Sequence, residues 1–385
     1  MTGREKIEAA FSLDGAPEFA AVICYEGIYI RDCWEQLTSC PWWYRHVPDL
    51  ERQMQWRRDV VHRLGHDWYS IAPGLIRRER QSYNIEVRPD GVYRIDKETG
   101  RAQELRPPVV GGWRGPQDRP GPAPPCPETC AQIDDLIGEP EALDASRWLA
   151  EGAGDFPAMM AGEFGERLFP FAHVNSPLWS SHGLWGFEKF MTQIADRPDL
   201  VAHACRRCLQ HARRAVRQAA LIGAAGIWIE ECFTDMISPD AFARLNVPFL
   251  GELVEEIRGA GMKSIYYFCG NPAGKWDMLL DVEADALSLE EGKKGFRIDI
   301  EEVVQRVQGR CTVFGNLDAV GVLQNGSDEQ LRAEIRRQIA AGRQNASRFV
   351  MSIGSPVTPG TPVERVRLYC EIVHELGGLE LRSGR

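Results

Sequence analysis

Several features that would place a protein in a broad class are absent from this chain. It has no run of roughly eighteen apolar residues, so no membrane-spanning helix is predicted. The charged start MTGREKIEAAFSLDG lacks the apolar centre of a signal peptide. The net charge of −10 argues against nucleic acid as the main partner, because phosphate binding needs a basic face. We therefore expect a cytoplasmic protein that binds neither membranes nor nucleic acid.

Two common binding signatures are also missing. No G-x-G-x-x-G follows a predicted strand, which argues against a dinucleotide site. The cysteine pairs Cys126/Cys130 and Cys205/Cys208 have no matching second pair, so neither predicts a zinc site. Without a signal peptide, the eleven cysteines are expected to be reduced thiols.

The pattern that is present is an alternation of short apolar strands with helices. From about residue 130, segments such as RLFPFAHV, AGIWIEE and KSIYYF alternate with amphipathic helices, which indicates a parallel sheet with crossover helices. With AAVICY and HDWYSIA the strand count reaches about eight. We predict an α/β fold, a (β/α)8 TIM barrel with an N-terminal elaboration; a doubly wound open sheet is the alternative. Residues 1–130 would form the elaboration, with the first strands and a β-hairpin, and residues 131–385 the main part of the same barrel domain.

Polar side chains follow most of these strands, where a barrel carries its site. Glu231 and Glu290 are paired acids on different strands, and two carboxylates facing one cavity suit proton transfer or metal binding. The alternative for Asn271, Asp318 and Ser355 is that each caps the following helix. Candidate substrate-binding residues at the strand ends are Tyr25, His173, Asn175, Asn271, Asn316 and Asp318.

The stretch SIYYFCGNPAGKWD carries the clearest single signal. It predicts a buried strand that runs into a Cys-Gly-Asn turn and then a helix. A metal site at Cys269 would need a second soft or nitrogen ligand nearby, but the preceding residues are Tyr267 and Phe268. Early aromatic residues, Tyr25 among them, would line an apolar pocket or belong to the core.

Residues 225–375 resemble the uroporphyrinogen decarboxylase superfamily, which includes cobalamin-dependent methyltransferases. The resemblance is carried by GIWIEECFTDMISPDAFARLNVPF, YYFCGNPAGKWDMLLDVEADALSLEE, VFGNLDAVGVLQNGS and FVMSIGSPVTPGTPVERVRLYCEIV. It implies a (β/α)8 barrel. The chain has no equivalent of the arginine-rich N-terminal motif with which true uroporphyrinogen decarboxylases hold their substrate, and it is more similar to the methyltransferase branch.

The thiol-alkylating members of that branch bind zinc through a His-x-Cys pair and a distant Cys. The resemblance places these ligands at Tyr267, Cys269 and Ser355, so only Cys269 remains as a metal ligand. A rebuilt zinc site would combine Cys269 with Glu231, Glu290 or His173.

The resemblance thus implies a methyltransferase that moves a methyl group between a small ether or amine and cobalamin. The cobalamin would be carried by a partner corrinoid protein, since this chain lacks the D-x-H-x-x-G signature. The expected catalytic residues are Tyr267, Cys269, Glu231 and Glu290, acting by proton transfer. The alternatives are a metal-independent decarboxylase or lyase on a small carboxylate, and a zinc-dependent thiol alkyltransferase with a rebuilt metal site. The sequence is compatible with a monomer or a homodimer.

Overall fold

The computed structural model describes residues 1–112, 124–292 and 295–378. Its centre is a curled sheet of seven parallel strands in the order β1-β5-β6-β7-β8-β9-β10. These strands are β1 (Trp68–Ser70), β5 (Phe169–Asn175), β6 (Gly226–Glu230), β7 (Lys263–Phe268), β8 (Ala286–Leu289), β9 (Thr312–Phe314) and β10 (Phe349–Val350). The predicted α/β barrel is confirmed, and the open-sheet alternative is not.

The eighth position in the ring is held by the chain around Ala21. This residue makes an isolated parallel bridge with Met351, just past β10. Its carbonyl oxygen also accepts a hydrogen bond from the backbone N–H of Asp67, just before β1. The segment therefore links β10 to β1, but it is not the regular strand that AAVICY predicted, because it bonds each neighbour at only one or two residues.

Aromatic side chains fill the interior of the barrel. Trp68 stacks on Phe171 with ring centroids 3.9 Å apart, and Trp228 stacks on Tyr267 at 5.3 Å. Phe11, at the end of helix α1, packs within 6.1 Å of Phe169 near the amino ends of the strands. Large rings thus occupy the lower and middle layers, so that only the carboxyl end of the barrel has room for a ligand.

Helices surround the sheet and follow the predicted order. Their boundaries carry the expected capping residues: Ser238 accepts from the N–H of Ala241, and Ser327 forms a capping box with Gln330. The α-helices are α1 (Gly3–Phe11), α2 (Glu26–Asp32), α3 (Trp34–Leu37), α4 (Leu50–Leu64), α5 (Arg77–Gln81), α6 (Cys130–Ile137), α7 (Ala145–Ala150), α8 (Asp155–Phe164), α9 (Pro177–Ser181), α10 (Phe187–Asp196), α11 (Pro198–Leu221), α12 (Pro239–Leu245), α13 (Val247–Gly259), α14 (Trp276–Asp281), α15 (Ile300–Val307), α16 (Asp328–Gln344) and α17 (Val363–Gly377). Shorter turns are the 3-10 helices Trp42–His46 and His182–Leu184 and the π-helix Ala319–Gln324.

The N-terminal elaboration contains a separate antiparallel sheet. The predicted hairpin forms as β2 (Tyr83–Arg88) and β3 (Gly91–Asp96) around the Asp-Gly turn. A third strand, β4 (Ala102–Leu105), pairs with β3 and was not predicted. The Pro- and Gly-rich loop predicted for residues 106–127 lies in part outside the described residues. The division of the chain at residue 130 stays a prediction.

Two further predictions concern membrane-spanning helices and the state of the cysteines. Within the three described ranges, none of the helices combines the length and the apolar character that crossing a membrane requires. All eleven cysteines lie in those ranges and are free thiols.

Candidate functional site

A cavity of about 290 Å³ opens at the carboxyl ends of β6, β7, β8 and β10. We call it the aromatic cavity. Its polar and aromatic lining comes from residues on these strands or directly after them, and from the start of α2. Those lining residues are Tyr25, Cys232, Tyr267, Cys269, Glu290 and Ser355. The rest of the described lining is Gly112 and the loop 356–359.

The cavity brings together the three positions that the resemblance singled out. Tyr267 lies in β7, Cys269 follows it, and Ser355 comes from the loop after β10, far away in sequence. The turn after Cys269 depends on Gly270, whose φ of 106° is strained for any residue with a side chain. A Cβ at Gly270 would also lie 2.2 Å from the side chain of Asp235. Glycine at position 270 therefore determines the path of the chain directly after Cys269.

Cys269 and Glu290 form a hydrogen-bonded pair of acid–base groups in the cavity. The thiol of Cys269 donates to Glu290 Oε2 over 3.4 Å. The Glu290 side chain is buried, and so is that of its neighbour Glu291. Glu291 accepts a hydrogen bond of 2.7 Å from the Ser355 hydroxyl. The thiol proton of Cys269 is therefore held by a carboxylate beside the space that a ligand would fill.

Tyr267 is placed as a neutral hydrogen-bonding group. Its hydroxyl donates to the carbonyl oxygen of Gly354 over 3.0 Å. Burial raises the pKa of Tyr267 well above its usual value, and the negative groups nearby act in the same direction. The phenol therefore stays protonated, and its proton is directed at the backbone.

Tyr25 joins the cavity to the rest of the barrel mouth. Its backbone is left-handed, with φ 54° and ψ 41°, which costs a residue other than glycine about 1–3 kcal/mol. Its ring lies 5.3 Å from Tyr267 and 6.2 Å from His173. Packing of the buried ring holds this strained backbone in place, and such strain is typical of functional sites.

His173 and Glu230 form a dyad on the other side of Tyr25. His173 Nδ1 lies 2.8 Å from Glu230 Oε1, and both side chains are partly exposed. A carboxylate that accepts from Nδ1–H leaves Nε2 as the ring's proton acceptor. The prediction favoured Glu231 over Glu230. Strand alternation could have identified Glu230, since it shares a face of β6 with the interior residue Trp228.

Glu231 directly follows β6, on the face opposite to Glu230, and is not among the residues that line the aromatic cavity. Its Oε2 accepts hydrogen bonds from Asn246 Nδ2 at 2.5 Å and from the Tyr266 hydroxyl at 3.4 Å. Asn246 separates α12 from α13, so the carboxylate is enclosed between the sheet and these helices. Adjacent residues at a strand point to opposite faces, so Glu231 points away from the barrel interior. Glu231 and Glu290 therefore do not face one cavity.

The pH dependence of stability is expected to report on Glu231. Burial raises its pKa from 4.5 to about 7. The folded state therefore holds this proton more tightly than the unfolded state, and stability is lost as the pH rises from 4.5 through 7. The loss should approach about 3 kcal/mol, because each pKa unit corresponds to about 1.4 kcal/mol.

Urea unfolding of the native chain and of Glu231→Gln at several pH values measures this loss. The amide can accommodate Asn246 by rotation of either side chain, so the variant should lack the decline above pH 5. Glu230→Gln, at the adjacent, partly exposed position, is the control. Parallel pH curves for the native chain and Glu231→Gln would show that the carboxyl is not titrating in this range.

The remaining predicted binding residues lie outside the aromatic cavity. Asn175 lies beside His173, in an open depression that the sheet forms with α11. Asn271 Oδ1 accepts from the N–H of Ala273, two residues ahead. Asn316 Nδ2 donates to the carbonyl of Ile298, and Asp318 caps the π-helix by accepting from Val320 and Gly321. Asp318 is thus a helix-capping residue, as the alternative interpretation predicted, and the Asn271 side chain stabilises a turn.

The donor set at the family's metal position does not fit zinc. Tyr267 and Ser355 both use their hydroxyl protons on other acceptors, and a neutral phenol and a neutral hydroxyl are poor zinc ligands. Cys269 is the single soft ligand of the three. Across residues 1–112, 124–292 and 295–378, no three His, Cys, Asp or Glu side chains are grouped as a metal site.

Comparison with known proteins is consistent with this architecture. The family model for uroporphyrinogen decarboxylase (URO-D) matches residues 165–376, more than half of the chain. A uroporphyrinogen decarboxylase from Thermodesulfovibrio yellowstonii is 26% identical over 158 residues, which is 41% of this chain and 43% of that protein. A methylcobamide:CoM methyltransferase from Methanosarcina mazei is 23% identical over 128 residues, 33% of this chain and 34% of that protein. The matches thus span about half, or less, of these relatives.

One solved structure matches nearly the whole chain. A methyltransferase from Methanosarcina mazei superimposes with a TM-score of 0.66 and covers 97% of this chain and 99% of its own. The two sequences are 17% identical, so the likeness concerns the fold.

Proposed function

The chain belongs to the uroporphyrinogen decarboxylase family, and on that basis we propose that it is a corrinoid-dependent methyltransferase acting on a small methylated ether or amine. The aromatic cavity carries this proposal. It measures about 290 Å³, and its described lining contains one carboxylate and no arginine or lysine.

The size and lining of the cavity argue against a porphyrinogen substrate. Ligand pockets for drug-sized molecules span roughly 300–1,000 Å³, so this cavity suits a ligand at or below the small end. A porphyrinogen carries several carboxylates around a large macrocycle, and carboxylates are held by arginine or lysine. Aromatic rings and thiols instead favour a compact, weakly charged ligand.

The reaction needs an acceptor for the methyl group and a proton for the leaving group. A corrinoid carried by a partner protein would supply the nucleophile and receive the methyl group. The bond between the methyl carbon and the donor oxygen or nitrogen breaks, and its electron pair stays on the leaving atom. A leaving oxygen must then take up a proton, which the hydrogen-bonded pair of Cys269 and Glu290 would give.

Other residues of the cavity orient the substrate. The Tyr267 hydroxyl is committed to the Gly354 carbonyl, so this residue presents its ring and oxygen lone pairs rather than a free proton. Tyr25 packs edge-on against it and forms an adjoining wall. His173 with Glu230 lies beyond Tyr25, and both side chains are partly exposed.

A decarboxylase acting on a small carboxylate is the second candidate, and the names of several curated relatives favour it. The same acid pair would then protonate the carbanion that remains when carbon dioxide leaves. Both reactions would use this pair, but the described lining of the cavity offers a substrate carboxylate no arginine or lysine, which favours the methyltransferase.

One assay separates these reactions. Purified protein is incubated with chemically reduced cobalamin and a panel of methyl ethers and methylamines, and in parallel with small carboxylic acids. We expect a corrinoid absorbance change together with a demethylated product, and no carbon dioxide. Carbon dioxide release without methyl transfer would instead establish the decarboxylase.

Metal content, measured by mass spectrometry on the same preparation and on Cys269→Ala, completes the test. The proposal expects no stoichiometric zinc in either protein. Zinc that is present in the native chain and lost in Cys269→Ala would restore the thiol alkyltransferase with a rebuilt site.

A further inference from the structure

A second cavity, which we call the arginine cleft, lies at the carboxyl end of β1. It has a volume of about 390 Å³ and shares no lining residue with the aromatic cavity. Five basic side chains line it: Arg45, His46, Arg57, Arg80 and Arg94. Ser70 and the following loop form the wall next to the barrel. The cleft therefore opens on the same end of the barrel as the candidate site.

The arginines come from four separate elements of the N-terminal elaboration. Arg45 lies in the 3-10 helix Trp42–His46, Arg57 in α4, Arg80 in α5 and Arg94 in β3. Arg57 and Arg80 are the more buried pair and lie deepest, whereas Arg45 and Arg94 are exposed at the rim. Four arginines gathered around one cleft are unusual in a chain of net charge −10.

The positive charge of the cleft is only partly neutralised. No Asp or Glu is among its described lining residues. In the described part of the chain, Arg45 and Arg94 have no carboxylate within 4.0 Å, and Arg94 lies over the Tyr83 ring at 3.9 Å. At the floor, Glu26 is 3.8 Å from Arg57 and also accepts from Ser70.

The floor arginines also retain donors without acceptors. Arg57 Nε and Arg80 Nε are buried and have no hydrogen-bond partner among the described residues. Asp155, which binds Arg80, is shared with Arg77. Buried N–H groups normally have a partner, so an anion in the cleft would improve the hydrogen bonding of the folded chain.

The protonation of His46 agrees with a positive potential at the rim. Its pKa is lowered by burial first, and then by the charges of Arg45 and Arg94. The imidazole is therefore neutral at pH 7 and can accept or donate a hydrogen bond without adding charge.

We propose that the arginine cleft binds a small polyanion through phosphate or paired carboxylate groups. Planar guanidinium groups match both kinds of oxyanion, and residues from four elements can surround more than one charged group. This site is independent of the methyl-transfer chemistry proposed above, because the two cavities have no lining residue in common.

Isothermal titration of the full chain with inorganic pyrophosphate and with citrate tests the proposal. At low salt, we expect saturable binding of at least one of them, weakening as salt is added. The double variant Arg45→Gln/Arg94→Gln should weaken binding about ten-fold or more. Both residues are exposed, so the variant should fold.

Arg88→Gln is the matched control. Arg88 lies in β2 of the same small sheet, over the Tyr93 ring at 4.6 Å, but it bonds Glu86 and does not line the cleft. The affinity of Arg88→Gln for the same anion should stay within about two-fold of that of the native chain. Pyrophosphate binding alone assigns a phosphate ligand, and citrate binding alone assigns a polycarboxylate. Absence of binding, or equal loss in both variants, would overturn the proposal.

Discussion

Replacement of Glu290 by glutamine is expected to lower kcat for methyl transfer from an ether by about 10²–10⁴-fold. The amide keeps the size of the side chain but cannot act as the carboxylate partner of the Cys269 thiol. The Cys269 thiol would then lose the carboxylate with which it shares a proton. KM should change little, because the shape of the cavity is retained. Steady-state kinetics with a responsive methyl donor measure both constants.

Tyr267→Phe is the comparison for this experiment. It removes a hydroxyl that donates to a backbone carbonyl, so its kcat should fall by no more than about ten-fold. The comparison of kcat values requires that both variants have the same unfolding midpoint as the native chain. Full activity in Glu290→Gln, with a large loss in Tyr267→Phe, would move the proton donor to the phenol.

Trp228→Ala is expected to destabilise the fold by about 3–5 kcal/mol. Trp228 is completely buried in the barrel interior. Its ring lies 5.3 Å from Tyr267, 5.6 Å from Trp68 and 5.8 Å from Tyr25. Truncation would therefore open a hole directly beneath the aromatic cavity, where the neighbouring rings cannot all collapse. Urea denaturation monitored by far-ultraviolet circular dichroism measures the loss.

Trp228→Phe and Trp43→Ala are the controls for the destabilisation measured in Trp228→Ala. Phenylalanine keeps an aromatic ring, so its cost should be well below that of alanine. Trp43 is only partly buried, in a 3-10 helix outside the barrel, and its truncation should cost less than Trp228→Ala. A loss in Trp228→Ala no greater than in Trp43→Ala would mean that the barrel interior repacks.

The two cavities suggest different contributions from the two halves of the chain. The aromatic cavity is built chiefly on strand ends within the part that matches the family. The arginine cleft is built chiefly by the elaboration, which precedes the matched residues. Activity and polyanion affinity can therefore be measured separately, and a change in one need not alter the other.

The order and type of most elements can be read from the amino-acid sequence. Strands such as KSIYYF and helices such as SDEQLRAEIRRQIAAG are encoded by neighbouring residues, through apolar periodicity and capping side chains. The sequence also places Cys269 and Glu290 directly after apolar strands, where a barrel carries its site, and the candidate cavity lies there.

Which of those residues come into contact depends on the folded chain. Tyr25 and Ser355 are joined to Cys269 by closure of the barrel, which no local pattern records. Alternation along the chain could have separated Glu230 from Glu231, but the partners of these carboxylates, His173 and Asn246, are brought to them only by the fold. The four arginines of the second cleft are distant in sequence and carry no motif. Their proximity depends on how the small sheet and its helices pack at the mouth of the barrel, which is a property of long-range contacts.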